Sequence, residues 1–409
     1  MTGKHYLAVL RAPGIGVWFA VLVCQRFPVA MAPLALVFLG HAVTGSYAIG
    51  ALLGGGHALA EAVAAGPLGR RFDVRPPGRE AALVLAVEAA AFAALAIVAT
   101  VLTAAPALAV ASSGAVATVA LLGLAAVGGG VSSGAHGGLR ALLVRLAPAE
   151  HRVAALSLES AASTTVWTVA PALVGGLALL DARIPVLAMA ALAAAGAVVG
   201  RRLRDPGQPP AVAAAGWWRA SWPAMVYDGG LMFAFGAVSL ALPVLLTDLG
   251  AGAGLSGPVL TAFALAGAGG GLAYGSRAWR GSPLGHAALL AGGIGLALGA
   301  AALVPALGAV VALFAVAGLL ETPALTARAV ALQDRLPPSQ WAAGFSGMYA
   351  AAGLGYGAAG LAVAWLVDRV GAQAAIGLCV LMGTALTLGS SAAEAAGTGR
   401  QFEAPSAEM

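Results

Sequence analysis

The sequence predicts an all-α membrane protein with twelve transmembrane helices in two pseudo-symmetric six-helix bundles. Three observations carry this. First, of 409 residues 60% are hydrophobic and only 9% charged, and the mean hydropathy is +0.93. A soluble domain carries about 25% charged residues, so this chain has too little charge to cover a water-facing surface. Second, the apolar residues fall in runs of the ~20 residues that a bilayer-crossing helix needs. Third, the basic residues are sorted by connection, as the positive-inside rule requires. The 58 Gly and 22 Pro show no G-x-y period, which excludes collagen, and the apolar content excludes a disordered tail.

Apolar runs between charged, Gly-rich or Pro-rich breaks place spans 1 to 12 at 14–39, 46–66, 81–103, 108–134, 153–179, 184–200, 222–246, 257–275, 286–304, 309–328, 342–366 and 372–391. The sixth is short. The first is long and proline-interrupted, with no A-x-A cleavage site after a short apolar core, so it reads as a retained helix and not a signal peptide. With the N-terminus inside, Lys4, Arg11, Arg70, Arg71, Arg75 and Arg79 face the cytoplasm. So do Arg140, Arg145, Arg152, Arg201, Arg202, Arg204, Arg219, Arg277, Arg280, Arg328, Arg335 and Arg400. Only Arg183 and Arg369 fall outside, and Arg26 lies within span 1. This asymmetry predicts a multi-pass protein of the cell membrane with both termini cytoplasmic. The net charge of +5 is then a topology signal, and nothing else points to nucleic acid.

The Arg-, Pro- and Gly-rich stretch Arg201 to Arg219 divides six spans from six. It predicts an N-terminal bundle (1–200), a cytoplasmic linker (201–221), a C-terminal bundle (222–391) and a cytoplasmic tail (392–409). Ala32-Pro33-Leu34 near the end of span 1 parallels Leu242-Pro243-Val244 in span 7. Arg145-Leu146-Ala147-Pro148 before span 5 parallels Arg335-Leu336-Pro337-Pro338 before span 11. Matched landmarks in matching order indicate a 6+6 duplication, the usual construction of secondary transporters, with the substrate site at the midplane between halves.

The stretch Gly66-Pro67-Leu68-Gly69-Arg70-Arg71-Phe72-Asp73-Val74-Arg75-Pro76-Pro77-Gly78-Arg79 resembles the loop signature between helices 2 and 3 of the major facilitator superfamily, G-x-x-x-D-R-x-G-R. Val74 and Pro77 loosen the spacing, and extra residues separate Gly66 from Asp73. Gly275-Ser276-Arg277-Ala278-Trp279-Arg280 resembles a degenerate second copy. Pro171-Ala172-Leu173-Val174-Gly175-Gly176 in span 5 resembles the G-P-x-x-G-G element of drug:proton antiporters, with Ala170 in place of the first Gly and one extra residue. The resemblance implies alternating access, proton-coupled efflux of a small amphipathic molecule, and spans 1, 4, 7 and 10 lining a central cavity beside span 5. Uptake of a nutrient through the same fold is the alternative, and an intramembrane enzyme or receptor is the alternative from another class. A monomer and no cofactor are expected.

Within the signature, Gly66, Arg70, Asp73, Arg75, Gly78 and Arg79 make a candidate cytoplasmic gating loop. The Asp73 carboxylate is suited to accept hydrogen bonds from a neighbouring helix N-terminus or to pair with Arg across the inner face. Ionisable residues inside apolar helices cost on the order of 3 kcal/mol unless paired or wetted. Arg26, beside Gln25 and before Pro28, must therefore meet a carboxylate, backbone carbonyls or water. Glu159 and Glu321 are its candidate partners, and Asp228 a further cavity acid. A carboxyl that alternates between Arg26 and a proton would couple proton movement to substrate binding. Trp18, Trp167, Tyr227, Phe233, Tyr349 and Tyr356 offer stacking surfaces, Trp167 and Tyr227 foremost. Three acids against one Arg on that lining favour cationic or neutral substrates. Glu88 lies on a peripheral span. His57 and Glu61 share a helix face but have no third ligand, so a packing role is expected and no metal.

Several patterns mislead in so glycine-rich a chain. Gly130-Val131-Ser132-Ser133-Gly134 is a G-x-S-x-G without a strand-turn-helix. Gly355-Tyr356-Gly357-Ala358-Ala359-Gly360 has no preceding strand, and Gly344-Phe345-Ser346-Gly347 has no histidine after it. These read as small residues for close helix contact. Lys4 is the only lysine, so no Walker lysine exists. Cys24 and Cys379, at opposite ends of the chain, form neither a disulfide framework nor a thiolate site.

Overall fold

The computed structural model describes residues 3–104, 113–207, 216–251 and 255–402. The start of span 4, the middle of the predicted linker and the end of the tail (403–409) therefore lie outside the described residues, as does the side chain of Arg400.

Among the described residues there are thirteen α-helices and no strand. They are α1 (Gly3–Arg11), α2 (Ile15–Thr44), α3 (Tyr47–Val74), α4 (Pro77–Ala104), α5 (Ser113–Leu146), α6 (Arg152–Ala178) and α7 (Ile184–Gly200). After the central connection come α8 (Trp217–Asp248), α9 (Ser256–Gly275), α10 (Pro283–Leu303), α11 (Leu307–Arg335), α12 (Trp341–Val370) and α13 (Ala372–Phe402). Helices α2 to α13 correspond in order to spans 1 to 12. Ten of them are long and apolar enough to cross a membrane. The other two are α3, whose inner end carries the charged signature, and α7, whose 17 residues rise about 26 Å.

The helices run past the predicted spans because charged residues do not stop a helix. Backbone chemistry stops it. Gly45 ends α2 in the left-handed region (φ 72°), and its N–H donates to the His41 carbonyl at 2.7 Å. Ser46 then caps α3, accepting from the Ile49 N–H at 3.4 Å. Arg75 is extended, as a residue before proline must be, and ends α3; Pro77 opens α4. In the α6–α7 turn, the Arg183 backbone N–H and Nε each donate to Asp181 Oδ1 at 2.8 Å. These bonds hold the Asp181 carboxyl down to about 2. Helix α1 is amphipathic, with Lys4 and Arg11 beside the exposed Leu7 and Leu10.

The chain packs as two compact units. The first comprises residues 1–155, 162–215 and 337–350, and the second residues 156–161, 216–336 and 351–409. In the first, α3 lies against α5, α4 against α7, and α2 against both α3 and α7. Met31, Leu36, Leu39, Leu53, Phe92, Leu95 and Met189 form its core. In the second, α8 packs on α13, and α11 packs on α9 and α10.

The duplicated landmarks reappear as structure. Pro33 lies inside α2 and Pro243 inside α8, the first long helix of each half. A one-turn 3-10 helix precedes α6 (Ala149–His151) and another precedes α12 (Pro338–Gln340). Each closes on a proline carbonyl, with His151 N–H to Pro148 O and Gln340 N–H to Pro337 O both at 2.9 Å.

Candidate functional site

In the first unit, the signature loop meets the segment 337–350. Asp73, 4% exposed at the end of α3, accepts the Ala342 N–H on Oδ1 and the Ala343 N–H on Oδ2, each at 3.0 Å. These are first-turn amides of α12, which have no intrahelical acceptor, and the helix dipole adds to the attraction. The Arg145 guanidinium and Arg70 add positive charge around the same carboxylate. Two glycines make the approach possible. A Cβ on Gly69 would lie 2.6 Å from Ser346 Oγ and 2.8 Å from the Ala342 carbonyl, and one on Gly137 would collide with the same two residues. Arg140 and Arg152 stand over the rings of Phe345 and Trp341, at 5.7 and 5.8 Å.

The rest of the loop braces this contact. Gly66 and Gly78 are buried, while Arg70, Arg75 and Arg79 are exposed. A Cβ on Gly78 would sit 3.1 Å from the Gly200 carbonyl, so α4 starts hard against the end of α7. Arg71 and Arg75 both pair with the buried Glu80.

Higher in the same unit, Arg26 is 1% exposed. Its Nη1 donates to Gln25 Oε1 at 2.7 Å and its Nε to Ser163 Oγ at 3.3 Å. Trp167 is 42% exposed. His57, read from the sequence as a packing residue, lies within hydrogen-bond distance of the Ala125 carbonyl (Nδ1 to O, 3.0 Å). Among the described residues no group of three or more His, Cys, Asp or Glu is placed to hold a metal ion.

The second unit holds the remaining predicted acids. Glu159 is fully buried and belongs to residues 156–161. Asp228 is buried beside Tyr227, whose hydroxyl donates to the Ala287 carbonyl at 2.7 Å. Glu321 is partly exposed, and its Oε2 accepts from the Thr322 hydroxyl at 3.2 Å.

This unit also contains charges that the sequence reading misplaced. Arg328, assigned above to a cytoplasmic loop, is 1% exposed inside α11. Its Nη2 donates to Glu394 Oε2 at 2.6 Å, Arg335 Nη1 reaches Glu394 Oε1 at 3.0 Å, and the Arg328 guanidinium lies 5.7 Å from the Tyr227 ring centre. Glu394 was assigned to the tail but sits in α13. A helical spacing continued past the apolar run would have found both.

The helix order α2 to α7 and α8 to α13, with prolines inside the continuous α2 and α8 and 3-10 turns before α6 and α12, is a repeated all-helical architecture. No family model matches the sequence, and neither does any curated protein. Solved structures do match. A bacterial homologue of the iron transporter ferroportin, in an outward-facing state with soaked iron, has a TM-score of 0.75 at 12% identity, over 94% of this chain and 99% of its own. The human organic anion transporter MFSD10 (TETRAN) has a TM-score of 0.65 at 16% identity, over 91% of this chain and 98% of its own. The major facilitator superfamily transporter FucP, in the outward conformation, scores 0.64 at 15% identity, over 92% and 98%. The chain has the major facilitator fold.

Proposed function

We propose that this protein is a secondary active transporter of the cell membrane that exports a small amphipathic molecule, cationic or neutral, in exchange for protons. The observation that carries the reading is the Asp73 carboxylate held by two main-chain amides of α12. This contact joins the end of α3 to the first turn of α12 and lies in the stretch that resembles the gating loop of the superfamily. In this reading, docking of the segment 337–350 closes the cytoplasmic side. Residues 1–200 and 222–391 are the two working halves, 201–221 the tether and 392–409 the tail. The protein works as a monomer, with both termini cytoplasmic.

Arg26 with Gln25, and the acids Glu159, Asp228 and Glu321, are the substrate and coupling residues in this reading, with Trp167 and Tyr227 as stacking surfaces. A buried acid that exchanges a proton for a cationic neighbour or substrate links the two gradients. The test is a pH-gradient assay in inverted vesicles, using ethidium and tetraphenylphosphonium as probes. Export in exchange for protons dissipates the gradient on probe addition, and Glu159→Gln or Glu321→Gln abolishes the dissipation. Retention of full coupling in both variants overturns the scheme. Accumulation of the probe in the opposite direction selects proton-coupled uptake instead.

A further inference from the structure

Away from the spans, the first unit brings together two histidines that the transport reading does not use. His5 of α1 and His151 of the 3-10 turn before α6 are 146 residues apart in sequence, and their Nδ1 atoms lie 3.0 Å apart. The rings meet edge to face, with centroids 4.9 Å apart and 75° between the planes. Both residues are half-buried. The charge asymmetry of the sequence puts both at the same membrane face, since Lys4 and Arg11 flank one and Arg145 and Arg152 the other.

The surrounding chain holds this pair in place. Helix α1 packs on the 3-10 turn and on α2, and its Val9 is fully buried. The corner between α1 and α2 is fixed by Gly14 in the left-handed region (φ 94°) and by the Ile15 N–H donating to the Ala12 carbonyl at 3.2 Å. A Cβ on Gly14 would also lie 3.1 Å from the Arg204 Cβ, so glycine is needed there twice over. The imidazoles are thus presented to each other by packing that does not depend on their own contact, which is the preorganisation a ligand site requires.

Between two imidazole nitrogens a hydrogen bond uses one proton and one lone pair. A metal ion instead takes a lone pair from each. Zn–N bonds of about 2.0–2.1 Å in tetrahedral geometry set two ligand nitrogens about 3.3 Å apart, so an opening of about 0.3 Å and a turn of each ring admit the ion. Imidazole selects Zn2+, Cu2+ or Ni2+ and leaves Mg2+ and Ca2+ to oxygen donors. Glu150, exposed next to His151, offsets the positive charge of Arg152. We propose that His5 and His151 form a two-imidazole site for a divalent transition-metal ion of the Zn2+ class, whose binding fastens α1 to the turn before α6. Two protein ligands leave the remaining positions to water, so the ion is exchangeable, unlike one in a closed four-ligand site. The site stands apart from the proton-coupled reading and does not rest on it.

The test uses the full chain in lipid nanodiscs, purified through a tag without histidine and with Cys24 and Cys379 replaced by Ala. Equilibrium dialysis against ZnCl2 in excess MgCl2 shows one saturable ion per chain. His5→Gln and His151→Gln each weaken binding by roughly tenfold or more, since losing a ligand costs at least what losing an outer-shell partner costs. His286→Gln, in the second unit, leaves it unchanged. Zn2+ also slows deuterium uptake by residues 3–11 in the parent and in neither of the first two variants. Cu2+ in place of Zn2+ gives a readout that needs no variant, electron spin echo modulation from two imidazoles.

No saturable binding at millimolar Zn2+ overturns the proposal, as does binding that survives His5→Gln or His151→Gln or is lost equally in His286→Gln. Modulation from a single imidazole also overturns it and leaves the pair as a hydrogen bond.

Discussion

At Asp73 each carboxylate oxygen has its own main-chain donor, so the two bonds need both oxygens to be acceptors. Asp73→Asn keeps one acceptor and turns the other into a donor facing a donor. A hydrogen bond to a charged group contributes about 1.5–3 kcal/mol, so the docked population should fall by about tenfold or more. The readout is maleimide labelling of Ser346→Cys in a cysteine-free background, since Ser346 is fully buried when the segment is docked. An unchanged labelling rate would sink the gating role of Asp73. Asp73 was legible as an acceptor for a helix N-terminus because four Arg around one Asp exceed what topology needs. Its donors lie nearly 270 residues further on, and no local spacing points to them. Gly69 and Gly137 were invisible for the same reason: a glycine's necessity depends on what approaches it.

At the scale of the element, the existence and order of twelve apolar runs were legible, and their ends were not. Charged residues were taken as breaks, yet α11 continues through Gln333, Asp334 and Arg335 until Leu336 turns extended before Pro337. That continuation carries Arg328 and Arg335 to Glu394 on α13, 66 residues from Arg328. Removing one partner of a buried ion pair is costly because the other charge stays buried. Arg328→Leu should destabilise the second unit by about 3–5 kcal/mol. Arg328→Leu combined with Glu394→Leu should recover part of that loss, because the charge that then lacks its partner, Arg335, is partly exposed. Thermal unfolding of the purified protein in one detergent measures both. A double variant no more stable than the single would show that the pair contributes through geometry and not through charge compensation.

For the whole molecule, composition alone was sufficient for class, and repeated landmarks for the 6+6 plan. The 3-10 turns before α6 and α12 are the duplication in three dimensions. Orientation rests on the charge asymmetry, and topology reporters check it. Alkaline phosphatase fused after Asp181 should be active, and a fluorescent protein at the C-terminus should fluoresce. A silent phosphatase at Asp181 would reverse the orientation. Substrate identity was not legible, because it depends on cavity shape and on side chains drawn from many helices. The Asp73 contact has one more consequence. Amides in the first turn of a helix ordinarily exchange their hydrogens with solvent readily, because nothing inside the helix accepts them. In α12 the amides of Ala342 and Ala343 are bonded to a buried carboxylate. Their deuterium uptake is therefore an intrinsic reporter of the docked population, readable on the unlabelled protein and without knowing what it carries.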